Sequence, residues 1–93
     1  MTLKICGIPF KIKRVKTVEK TKHDIVCGKT LHSKATILIR KGMSKEVEKS
    51  TLYHEIVHAI LVLIGYNKLS DDEVFVQSLS NVIYQMFDLK AEE

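Results

Sequence analysis

The chain has 93 residues, 45% of them hydrophobic and 28% charged, with a formal net charge of +4. That length suits one domain with one modest core, and the composition is that of a folded globular protein rather than a disordered one. The longest uncharged apolar run near its centre, Ile56 to Ile64, is too short to span a membrane, and no signal-peptide-like stretch opens the chain, so a cytosolic protein is expected.

Leu3 to Ile5 and Ile8 to Val18 read as strands, separated by a turn at Cys6-Gly7. Phe10, Ile12 and Val15 are spaced loosely by two with lysines between them, the pattern of a half-buried strand. Lys20 to Asp24 is polar and reads as loop, and Ile25-Val26-Cys27-Gly28 as a short strand ending at its glycine. After another turn, Ala35 to Ile39 is rich in β-branched residues and stops at Arg40-Lys41-Gly42, which makes it the clearest strand. Residues 1–42 are therefore expected to form a small antiparallel sheet of three to four strands.

Ser44 is a good N-cap, and neither proline nor glycine interrupts the chain from Lys45 to Ile64. Val47, Leu52, Ile56, Ala59, Ile60 and Leu63 recur at helical spacing, and Gly65 supplies a stop, which predicts a helix over 44–65. Ser70-Asp71-Asp72-Glu73 opens a second predicted helix over 70–89, with Val74, Phe75, Leu79, Val82, Ile83, Met86 and Phe87 as the residues expected to be buried. The fold class is α+β: a sheet followed by two helices packed antiparallel against each other and the sheet.

The chemistry lies in the first helix. Tyr53-His54-Glu55-Ile56-Val57-His58 contains His-Glu-x-x-His. Two histidines four residues apart share a helix face, so both imidazoles can reach one ion, and zinc suits them. Glu55 sits beside that position, as a general base for a bound water would. A third ligand is needed, and Asp71, Asp72 and Glu73 are the candidates downstream. Glu73 has a competing explanation, because Ser70 and Glu73 form the Ser-x-x-Glu pattern of a capping box.

Two runs resemble the minimal gluzincin-type zinc metallopeptidases of phages and prophages, distant relatives of the ImmA/IrrE peptidases. These are Ser50-Thr51-Leu52-Tyr53-His54-Glu55-Ile56-Val57-His58-Ala59-Ile60-Leu61 and Glu73-Val74-Phe75-Val76-Gln77-Ser78-Leu79-Ser80-Asn81-Val82-Ile83-Tyr84-Gln85. The resemblance implies a zincin-like fold in the cytoplasm of a bacterial host, with His54, His58 and Glu73 as zinc ligands. It implies Glu55 as the catalytic base and a peptide or protein as substrate. Little chain remains for a specificity pocket or a lid.

The expected activity is zinc-dependent peptide-bond hydrolysis, with the Ala35–Ile39 strand offering an edge to an extended substrate. The rival reading is a catalytically silent, metal-stabilised phage module that binds a protein partner through its basic half. Residues 1–49 hold thirteen Lys/Arg against four Asp/Glu, and residues 50–93 hold two against seven. Only two of the thirteen are arginine and no aromatic pattern accompanies them, so nucleic-acid binding is not expected. Cys6 and Cys27 form no Cys-x-x-Cys pair and are expected to be reduced.

Overall fold

The computed structural model describes residues 1–18 and 27–92, with side chains as far as residue 87. Four strands are followed by three helices: β1 (Thr2–Ile5), β2 (Ile8–Val15), β3 (Gly28–Leu31), β4 (Thr36–Arg40), α1 (Lys45–Leu63), a single turn α2 (Asn67–Ser70) and α3 (Glu73–Glu92). The α+β class and the two main helices are as the sequence predicts. The expected loop at 20–24 and the strand positions Ile25 and Val26 lie outside the described residues.

The hairpin β1–β2 turns at Cys6 and Gly7, both at positive φ, as a tight two-residue connection between right-twisted strands requires. The sheet is not purely antiparallel. Its order is β1-β2-β4-β3, and β2 pairs with β4 in parallel. The physical reason lies in the strand order: β3 sits on the far side of β4 from β2, β4 pairs antiparallel with it, and β4 so placed runs parallel to β2. The expected edge strand, Ala35 to Ile39, is therefore interior. Among the described residues, the edge strands are β1 and β3.

One sheet face packs on α1 through Ile5, Phe10, Ile12, Ile37 and Ile39. Ala59, Leu52, Ile56 and Ile60 meet them from α1, while Val57 and Leu61 on the opposite flank of the helix meet Val76, Leu79 and Ile83 of α3. Helix α1 is thus sandwiched between sheet and α3, which is why its apolar residues spread around the cylinder rather than forming one stripe. Ser44 caps it, accepting from the Val47 N–H at 3.2 Å. Gly65, at φ 92°, ends it, with the Tyr66 N–H reaching back to the Leu61 carbonyl at 2.7 Å.

Helix α3 departs furthest from expectation. Of its seven predicted core residues, Val74, Phe75, Val82, Met86 and Phe87 are exposed; Leu79 and Ile83 are half-buried. The residue fully enclosed is Val76, with Ser80 one turn on. A helix with α1 as its main packing partner can hide only a narrow strip, and that strip follows Val76, Leu79, Ser80 and Ile83.

The outer sheet face carries Lys4, Lys11, Lys13, Lys29 and Arg40 by strand alternation, and every described carboxylate lies on or beside the helices. No helix among the described residues is long and apolar enough to cross a membrane.

Candidate metal centre

His54 and His58 lie one turn apart on α1, on the flank between the sheet and α3. Their ring centroids are 4.9 Å apart. Glu73, the first residue of α3, places Oε1 3.2 Å from His54 Nε2 and 3.0 Å from His58 Nε2, while the two Nε2 atoms are 3.2 Å apart. These three are the one such ligand-forming group among the described residues. Asp71 and Asp72, the other candidates for a third ligand, are not part of it.

The triangle has the dimensions of an ion's ligand shell. A tetrahedral ion with bonds of about 2.0–2.1 Å separates its ligand atoms by about 3.3 Å. The hydrogen bonds behind the imidazoles make the same case. Gln77 Oε1 lies 2.8 Å from His54 Nδ1 while Gln77 Nε2 donates to Asn81 Oδ1 at 2.7 Å. An amide oxygen only accepts, so His54 carries its proton on Nδ1. Ser70 Oγ donates to the His58 carbonyl at 3.3 Å and lies 3.1 Å from His58 Nδ1. Its hydrogen being spent on a carbonyl, its oxygen accepts from Nδ1–H there too.

In the Nδ1–H form each ring turns an Nε2 lone pair toward the carboxylate. Three electron-pair donors converge, and that arrangement calls for positive charge at its centre, either a proton on one ring or a metal ion. Two imidazoles and a carboxylate are a donor set that fits zinc.

Ser70 is not the cap the sequence suggests. Asp72 caps α3, accepting from the Phe75 N–H at 3.0 Å, and Ser70 ends α2, 4% exposed, against His58. The unpredicted turn α2 is what carries it there. Without a capping duty, the Glu73 side chain, itself 71% exposed, is turned to the histidines.

Glu55 is buried (7% exposed) and lines a cleft of about 280 Å³ together with Cys27, Gly28, Ser50, Thr51 and His54, Glu73 and Gln77 facing the same space. Thr30 Oγ1 donates to Glu55 Oε1 at 2.7 Å. From sequence, Thr30 falls in the turn before Ala35, because Gly28–Leu31 has one apolar residue and no run of β-branched ones. The signal that could have found it is the alternation that puts Gly28 and Thr30 on one strand face.

Gly28 lets the strand approach. A Cβ there would lie 2.6 Å from Thr51 Cγ2, 3.1 Å from the Leu38 carbonyl oxygen and 3.2 Å from Glu55 Cγ. His32, just after β3, is held below its ordinary value of 6.5 mainly by partial burial, then by the charge of nearby His58, with Glu55 opposing. Tyr53 and Tyr84 stack on each other at 5.2 Å and 17°. Cys6 and Cys27 are both free thiols, and neither belongs to the ligand group.

No protein-family model matches the chain, and neither a curated protein nor a solved structure does.

Proposed function

We propose that the protein is a zinc-dependent peptidase of the minimal gluzincin kind, with His54, His58 and Glu73 as ligands and Glu55 as general base. The observation that carries this reading is the convergence of three acceptor atoms within 3.0–3.2 Å of one another, on a cleft that Glu55 also lines. Zinc bound there would polarise a scissile carbonyl and lower the pKa of a water toward neutrality.

The chain's own residues do the rest. Thr30 engages one oxygen of the Glu55 carboxylate, which fixes its rotamer; the other takes the proton of the attacking water and delivers it to the leaving amine. Among the described residues the edge strand beside the cleft is β3, so an extended peptide would pair with Gly28–Leu31 rather than with β4. The cleft is open and small, which suits a short extended segment of a protein.

A second reading is a catalytically silent, metal-stabilised module binding an acidic protein through the outer sheet face. The clustering of Lys4, Lys11, Lys13, Lys29 and Arg40 on that face favours it. Glu55→Gln separates the two. The peptidase reading predicts that the variant keeps zinc and loses cleavage of a denatured-protein substrate. Equal cleavage by wild type and Glu55→Gln, or none by zinc-loaded wild type across a panel of peptides, would remove it.

A further inference from the structure

The geometry points to Ser70 and Gln77, the latter held by Asn81, as positioning residues that select which nitrogen of each imidazole is free to bind metal. This rests on the metal-centre reading above and adds to it residues that touch no metal. A neutral imidazole carries its proton on either nitrogen, and only the other one can be a ligand. Both rings must therefore be set to the Nδ1–H form for two Nε2 atoms to serve one ion, and free histidine favours the opposite form.

The two settings are independent. Ser70 is buried, and its hydroxyl donates to the His58 carbonyl, so toward the ring its oxygen accepts. Gln77 lies one turn into α3, where its amide could present either oxygen or nitrogen to His54. The hydrogen bond from Nε2 to Asn81 Oδ1, four residues on, keeps the oxygen inward. A carboxylate in this role would add charge behind the ring and raise its basicity. This chain uses neutral partners at both histidines, so orientation is what they supply.

The arrangement also ties ligand geometry to docking of the C-terminal elements. Ser70 ends α2, Gln77 and Asn81 belong to α3, and Glu73 opens α3. Every group that orients or completes the centre opposite α1 thus arrives only when this segment packs on it.

The test compares wild type with Ser70→Ala, Gln77→Leu, Gln77→Glu, Asn81→Leu and Asn81→Asp. Zinc affinity is measured by competition with a chromophoric chelator, ring tautomers by 15N-detected NMR of the metal-free chains, and folding by circular dichroism. Wild type should show Nδ1–H at both rings. Ser70→Ala and Gln77→Leu should each weaken zinc by about 10–100-fold, the effect typical of removing a ligand's orienting partner. Asn81→Leu should do so more mildly by freeing the amide to turn. Gln77→Glu and Asn81→Asp, which keep an acceptor at the same place, should bind zinc at least as well as wild type. The tautomer readout separates orientation from packing, because a merely structural role would leave folded Ser70→Ala and Gln77→Leu with Nδ1–H at both rings.

Folded Ser70→Ala and Gln77→Leu that bind zinc as wild type does would overturn this assignment and leave the metal centre standing. Wild type that binds no zinc would overturn both.

Discussion

Substituting Gly28 tests how closely the cleft side of the sheet is fitted to α1. No left-handed torsion demands glycine here; the demand is for space. The Cβ of Gly28→Ala would start 2.6 Å from Thr51 Cγ2, and ordinary contact begins at 3.4 Å, so about 0.8 Å of separation is needed. Thr51 cannot rotate freely, since a β-branched side chain on a helix is stiff at χ1. The Leu38 carbonyl at 3.1 Å is backbone of the neighbouring strand and resists as well. If β3 gives way, the 2.7 Å bond from Thr30 to Glu55 stretches toward about 3.5 Å, the limit of a hydrogen bond.

Overpacking of this kind costs about 1–3 kcal/mol, which for a domain of this size lowers the melting temperature by roughly 5–20 °C. Thermal unfolding followed by circular dichroism, with urea titration as a second probe, measures it. Thr51→Ser removes the Cγ2 that makes the closest contact, so Gly28→Ala in that background should cost about 1 kcal/mol less, read as the coupling in a double-mutant cycle. A Gly28→Ala chain that melts within about 2 °C of wild type, or shows no coupling to Thr51, would refute the reasoning.

The remaining predictions concern packing and charge. Val76→Ala deletes the most enclosed apolar contact between α1 and α3 and should destabilise by about 2 kcal/mol, from two methyl-sized groups plus the cavity left behind; urea midpoints check it. Val74→Ala, at a site 79% exposed, should change stability by less than about 0.5 kcal/mol in the same assay. Thr30→Val removes the donor to a buried carboxylate and should cost about 1–3 kcal/mol, while Thr30→Ser restores most of it.

Arg14 bonds to Glu48 at 2.6 and 3.0 Å; that hydrogen bond first, with burial opposing it and the charge of Arg14 adding to it, holds Glu48 below its ordinary 4.5. A depressed carboxylate stabilises the fold above its unfolded value and loses that contribution as pH falls through its folded one. The stability gap between wild type and Glu48→Gln should therefore be present at neutral pH, close on acidification, and shrink with added salt because the pair is at the surface.

Much of this was legible in the residues. The turn at Cys6-Gly7, the Ser44 cap and the Gly65 stop depend on local torsions and local hydrogen bonds, and local sequence specifies those. His54, Glu55 and His58 are readable because helical periodicity alone puts two imidazoles on one face. The competing capping-box reading of Ser70 and Glu73 arises because Ser-x-x-Glu looks the same whether its serine caps a helix or meets a distant imidazole. Only the approach of His58, twelve residues earlier, decides between them. The parallel pairing of β2 with β4 is a matter of strand order, which no strand's own alternation records. The sequence points to the bulkiest residues of α3 as its buried strip, whereas the line of contact with α1 encloses Val76 and Ser80. Thr30 and Gln77 are ordinary polar residues whose roles exist only in three dimensions.

The central claim is that His54, His58 and Glu73 hold one metal ion together. The most direct measurement is the metal content of purified wild type, His58→Ala and Glu73→Ala by elemental analysis after dialysis against zinc-containing and then metal-free buffer. The account predicts about one zinc per chain in wild type and loss of it in both variants, with each variant still folded by circular dichroism. Zinc retained in Glu73→Ala would contradict the carboxylate's place in the centre, and wild type without zinc would contradict the centre itself.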